Sequence, residues 1–297
     1  MGHGSYTSAD WSRLKESSRI TDSSNDKDIF KRQSMDQRFD PKYINVREAR
    51  DSADHPESTP IIIGFDVTGS MGYLAAQIAK ESMNETMMKL FSVKPVTDPQ
   101  ILFAALGDVT DHAPLQVTQF ESDIRIGEQL LDLWLEGCGG DSPEDYPLLW
   151  YFAAKHTSAD SFEKRGKKGY IFTIGDADCH RIVNARHINA IFSDDARTYT
   201  ISELSQAASE KYELFHIHIN AHGNMLPELS QALRGRIMTV SRSDIRIIPE
   251  LIVSAILLSN GTPMDKVLDN WPAELRGVIS DALRALVIKP PAGAISF

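Results

Sequence analysis

The sequence predicts a doubly wound α/β fold: a mostly parallel central sheet with helices on both faces. Three observations carry that expectation. Short unbroken apolar runs, Ile61-Ile62-Ile63-Gly64-Phe65 first among them, have the composition of strands buried on both faces. These runs alternate with stretches whose apolar residues recur at helical spacing, the pattern of a sheet built from right-handed crossovers. Two of the runs end directly in acidic loops, and in open α/β sheets ligands bind beyond the carboxyl ends of the strands.

Each element follows from local pattern. After Gly72, Leu74, Ile78, Met83, Met87, Met88 and Leu90 mark a helix. Residues Ile101 to Leu106 read as a second buried strand, and the Gly107-Asp108 turn leads to a short strand from Leu115 to Phe120, so the pair forms a hairpin. A helix from Asp123 to Leu135 follows, then the loop Gly137-Cys138-Gly139-Gly140-Asp141-Ser142-Pro143-Glu144-Asp145, then a helix from Leu148 to Lys155. The strand Gly169 to Ile174 ends in Gly175-Asp176-Ala177-Asp178 and repeats the plan of the first. Helical segments at Arg181–Ile191 and Ile201–Tyr212 lead to a strand at Glu213–Ile219. A short helix at Leu226–Leu233, a strand at Arg236–Val240 and a helix at Ile247–Leu258 complete the alternation. His216 and His218 share one face of their strand and read as packed core histidines. Residues 1–58 are a polar arm whose aromatics either dock on the domain or on a partner, or belong to a loosely ordered tail; 59–260 are the domain, and 261–297 add a C-terminal helix, broken at Pro272, and a tail.

The chain has 297 residues, 42% of them hydrophobic, enough for a full core, and a formal charge of −10. Residues 1–58 hold ten Lys/Arg against eleven Asp/Glu, which leaves −9 on the rest. An acidic surface without a basic block repels phosphate backbones and anionic membranes and favours cations, so neither nucleic acid nor membrane is expected as a partner. Two cysteines, Cys138 and Cys179, make no disulfide framework, and there is no apolar leader at the start; a cytoplasmic location is the expectation.

Chemistry concentrates at Asp66-Val67-Thr68-Gly69-Ser70. Oxygens at i, i+2 and i+4 after a buried strand can converge on one point, and hard oxygen donors suit Mg²⁺, or alternatively Mn²⁺ or Ca²⁺. Asp141 and Asp176 fall in loops predicted on the same edge. Over about residues 59–260 the sequence resembles the von Willebrand factor A (vWA) family, whose metal ion-dependent adhesion site reads Asp-x-Ser/Thr-x-Ser, with a central loop residue and an Asp after the fourth strand. The resemblance implies a vWA/Rossmann-like fold and a metal site made by Asp66, Thr68, Ser70, Asp141 and Asp176. The Gly139-Gly140-Asp141-Ser142-Pro143-Glu144 loop is similar to that of vWA modules joined to some alpha-kinases; it puts Asp141, or alternatively Ser142, where many relatives have Thr. Three carboxylates around a 2+ ion would hold it firmly and attract a partner's carboxylate less. The function so implied is a non-enzymatic, metal-dependent protein-binding module, an adaptor or assembly component, with an AAA+ ATPase as the first partner class.

Two other readings compete. Asp66-Val67-Thr68-Gly69-Ser70 also resembles the Asp-Lys-Thr-Gly-Thr of haloacid dehalogenase-class phosphotransferases, which would make Asp66 a nucleophile, Asp176 a Mg²⁺ ligand and Lys167 or Lys168 the lysine. Thr68 stands where phosphatases of that class need a second Asp. In the third reading the chain is a structural assembly subunit, with the metal only stiffening loops. Asp108, Asp111 and His112 read mainly as turn chemistry on the site's rim, and Asp178, Cys179 and His180 with Cys138 as a weaker candidate for zinc.

Overall fold

The computed structural model describes residues 6–137, 143–220 and 225–288. Its centre is a six-stranded sheet in the order β10-β9-β6-β2-β3-β4. The strands are β2 (Thr59–Asp66), β3 (Pro99–Leu106), β4 (Leu115–Val117), β6 (Gly169–Gly175), β9 (Tyr212–Asn220) and β10 (Ile237–Ser241). All pairs are parallel except β3 with β4, the predicted hairpin. Chain order runs outward from β2 in two directions, to β3 and β4 on one side and to β6, β9 and β10 on the other. The switch point therefore falls between β2 and β6, where adjacent crossovers leave to opposite faces and open a crevice at the strands' carboxyl ends.

Helices cover both faces. One face carries α3 (Gly72–Gln77) and α4 (Met83–Val93), separated by a π turn at Ile78–Ser82, with α5 (Arg125–Leu131) and α11 (Ile248–Ser259). The other carries α6 (Tyr146–Lys155), α8 (Ala185–Phe192), α9 (Ile201–Ser209) and α10 (Pro227–Leu233). Alternate residues of β2 divide between the two layers: Ile61, Ile63 and Phe65 go to the first, Ile62 to the second.

The arm joins this core. Its α1 (Ser8–Ser18) and α2 (Asp26–Ile29) bury Trp11 and Ile29, and Tyr6, Phe30 and Phe39 enter the same apolar layer, whereas Tyr43 is exposed. Trp11 lies on α5 at Gly127, where an added Cβ would stand 2.8 Å from the indole. The arm's strand β1 (Arg47–Ala49) pairs in parallel with β5 (Thr157–Ala159), an element the sequence pattern does not show because each is only three residues long. Behind β5, α7 (Asp160–Arg165) ties down the arm's Arg50 and Asp51.

Two expected elements differ. The helix from Arg181 gives way to β7 (Ile182–Val183), paired antiparallel with β8 (Tyr199–Thr200), and helix α8 starts only at Ala185. A tertiary strand partner outweighs helical spacing there. The helix expected from Asp123 starts at Arg125, because the Asp123 carboxylate accepts the Arg125 backbone N–H and holds a turn. The C-terminal helix breaks at Pro272 as the sequence indicates, into α12 (Met264–Leu268) and α13 (Ala273–Leu283), with Pro272 capping the second. Among the described residues no helix is long and apolar enough to cross a membrane.

Candidate metal centre

Strand β2 ends at Asp66 beside the switch point. One position before it, Phe65 pairs with Ile174, so Asp66 and Gly175 stand side by side, and Gly175 in turn pairs with His218. This row faces α6, the same side as Gly64 and Thr173. Asp66 is fully buried; its Oδ1 accepts from the Thr68 backbone N–H and the Thr68 hydroxyl, both at 2.7 Å. Its Oδ2 is buried with no hydrogen-bond partner. A carboxylate oxygen left bare in the interior is costly unless something positive reaches it.

The next group comes from the central loop. Glu144, at its end, is buried and lies 3.5 Å from the Thr68 hydroxyl, within weak hydrogen-bond reach. A parallel bridge holds it in place: the Glu144 N–H donates to the Asp178 carbonyl at 2.8 Å and its carbonyl accepts from the His180 N–H at 3.2 Å. The loop after β6 is thereby stapled to the loop before α6. Neither Asp66 nor Glu144 makes an ion pair with a basic side chain among the described residues. Burial pushes both carboxyls well above the usual carboxylate range, and the neighbouring carboxylates, Asp176 among them, push them further.

Tyr146 opens α6 over this row. A Cβ at Gly175 would fall 1.9 Å from the Tyr146 hydroxyl oxygen, so only glycine lets the phenol sit above the β6 end. Burial, and then the carboxylates of Asp66, Glu144 and Asp176, keep that phenol protonated. Behind it lie the two histidines. The His216 ring lies 4.9 Å from the Tyr146 ring, tilted by 54°, and its Nδ1 is 2.9 Å from the Thr173 hydroxyl. Both imidazoles are buried, which pushes His216 down to about 3 and lowers His218. They are neutral core groups, as the strand pattern indicates.

The structure brings Asp66, Thr68 and Asp176 to one edge and adds Glu144, which the motif assignment passes over in favour of Asp141. Asp141 and its alternative Ser142 lie outside the described residues, as does the side chain of Ser70. The signal for Glu144 is present in Gly-Gly-Asp-Ser-Pro-Glu, but sequence order does not say which acid of a loop turns inward. Elsewhere the turn readings hold. Asp108 Oδ1 accepts from the backbone N–H and hydroxyl of Thr110, Asp111 accepts the Asp108 N–H, and His112 is exposed and paired with Glu136.

Two facts weigh against the weaker zinc candidate, at Asp178 and Cys179. The Asp178 carboxylate accepts the Glu228 and Leu229 N–H groups at the start of α10, Cys179 is buried in the core, and Cys138 lies outside the described residues. The phosphotransferase reading loses its lysine. Lys167 and Lys168 precede β6, at the opposite end of the sheet from Asp66, and bind Glu57, Glu213 and the Ser209 carbonyl.

No protein-family model and no curated protein matches the chain. Similar solved structures include the pilus adhesin SpaC from Lactobacillus rhamnosus GG in its open conformation (TM-score 0.46, 10% identity, 68% of this chain and 30% of that one). They also include proximal thread matrix protein 1 from the mussel byssus, with TM-score 0.46, 14% identity and coverage of 72% and 49%. A von Willebrand factor type A protein from Catenulispora acidiphila matches with TM-score 0.37, 13% identity and coverage of 68% and 42%. The match thus spans half or less of each of these proteins.

Proposed function

We propose that the chain is a vWA-type module that holds one divalent cation at the carboxyl edge of β2 and β6 and uses that edge to bind a protein partner, without catalysing a reaction. The single observation behind this reading is the bare, buried Asp66 Oδ2 beside Thr68 and Glu144. Two buried carboxylates with no basic partner among the described residues must either be protonated or be compensated by a cation, and an all-oxygen donor set favours a hard ion of the Mg²⁺ class. Asp66 and Thr68 would hold it, with Glu144 and Asp176 near enough to add charge directly or through water. Bound there, the ion would supply a fixed positive centre able to accept an oxygen ligand from a partner.

Glu144 sharpens the expectation of an acid-rich site. With Asp66, Glu144 and Asp176 on one edge, the positive charge is compensated from within, so the ion is held firmly and grips an acidic partner less. An adaptor or assembly role inside the cell, with an AAA+ ATPase as partner, is the form of this function that the family resemblance suggests. Calorimetry with Mg²⁺, Mn²⁺ and Ca²⁺ on wild type and Asp66→Asn tests the site. Capture of partners from the source cell with and without chelator tests the function. Equal cation affinity in the two proteins would remove the proposal; complexes that survive chelation would leave the metal a stiffening role only.

A further inference from the structure

A second set of donors lies one residue along from Glu144. Asp145 at the start of α6, Asp108 in the turn after β3 and His180 in the loop after β6 each present one donor atom, and the three atoms lie within 4.8 Å of one another. Three separate loops converge to make this arrangement, and backbone contacts fix each of them. Asp108 is oriented by Thr110, as described. The Asp145 Oδ2 accepts the Val109 N–H at 2.9 Å, which ties α6 to the loop carrying Asp108. The bridge between Glu144 and Cys179 sets His180 beside Asp145. Both carboxylates are buried, at 1% and 2% exposure, while His180 is partly open. It lines, with Asp145 and His187, a cavity of about 560 Å³ that gives an ion a way in and leaves room for water ligands.

We propose that Asp108, Asp145 and His180 form a second metal site, distinct from the one at Asp66, that takes a borderline first-row ion such as Zn²⁺. The donor types separate the two sites. The Asp66 edge offers oxygen only, which suits Mg²⁺, whereas two carboxylates with an imidazole suit Zn²⁺ and its neighbours and leave positions open for water. His187 lines the same cavity and is a further imidazole there. Because the loop Glu144-Asp145 gives one carboxylate to each site, the two ions would brace the same segment from opposite sides.

The test uses Co²⁺, whose visible absorption reports its ligand set, and the full chain in the Asp66→Asn background, which removes the first site. One equivalent of Co²⁺ should bind, be displaced by Zn²⁺ and resist excess Mg²⁺. Adding His180→Gln should weaken binding by about tenfold or more with a changed spectrum, the scale seen when a metal site's ordering is lost. The same titration on wild type saturated with Mg²⁺ provides an arm that does not depend on the Asp66 variant folding. Absence of Co²⁺ uptake in both arms, or uptake unchanged by His180→Gln, would overturn the proposal and leave His180 as an ion-pair partner of its acidic neighbours. Failure at Asp66 alone, with Co²⁺ still bound through His180, would instead count against the first site and not this one.

Discussion

Two clusters of carboxylates sit at opposite ends of the same sheet, and they deal with their charge in opposite ways. At the amino end, Asp51 accepts from Arg165 at 2.7 and 3.0 Å, and Asp160 from Lys164 at 2.7 Å and Arg50 at 2.9 Å. Hydrogen bonds from Arg165 hold the Asp51 carboxyl well below the usual range. For Asp160, burial acts upward, but Lys164, the Asp51 N–H and Arg50 more than offset it. At the carboxyl end, Asp66 and Glu144 are buried, where Asp51 is only half-buried, and among the described residues they have no such partners; their carboxyls move up. A charge cluster that supplies its own counterions is a clamp, here fastening the arm to α7. One that lacks them is, on the proposed reading, a receptor for a cation.

The largest expected break in this contrast comes from Asp66→Asn. It should weaken Mg²⁺ binding on the order of 100-fold, about 2.7 kcal/mol, measured by calorimetry. It should also raise the melting temperature of the metal-free protein, because an uncompensated buried acid is removed; a lower melting temperature would show that Asp66 is satisfied without metal. Gly175→Ala comes next. Its Cβ must displace Tyr146, at a cost of about 2 kcal/mol in chemical denaturation, and cation affinity should fall with it.

Asp51→Asn should have the opposite sign to Asp66→Asn. Losing the Arg165 pair is expected to cost about 1–2 kcal/mol, with cation binding untouched. The two clusters should also separate by pH. Raised carboxyls bind more protons folded than unfolded, so the metal-free protein should lose stability as pH rises from about 4 through the raised values, and Mg²⁺ should abolish that loss. The lowered Asp51 and Asp160 act the other way: their contribution is present above about pH 4 and disappears as pH falls below it. Melting curves across pH with and without chelator would show whether the slopes differ in this way. The smallest effect belongs to Lys167→Ala, within about 0.5 kcal/mol and silent in cation binding.

Much of this was legible in the linear chain, for physical reasons. Strands buried on both faces must be apolar throughout, so Ile61–Phe65 and Tyr170–Ile174 announce themselves, and the acids that follow them must fall on the carboxyl edge of a parallel sheet. The sites of Asp66, Thr68 and Asp176 follow from that. Elements of two or three residues, such as β1, β5, β7 and β8, carry no periodicity to read; only a partner makes them strands. Glu144 was hidden for a related reason, since its inward turn depends on a bridge to Cys179, thirty-five residues away.

The sequence by itself determined the sheet, its helices and the acid-bearing edge, because burial on two faces and helical spacing are written in local order. Tertiary structure decided what that edge contains. The close approach of α6 over Gly175, the staple between two loops and the lack, among the described residues, of any lysine or arginine paired with Asp66 or Glu144 are relations between distant segments. They arise only when the layers pack.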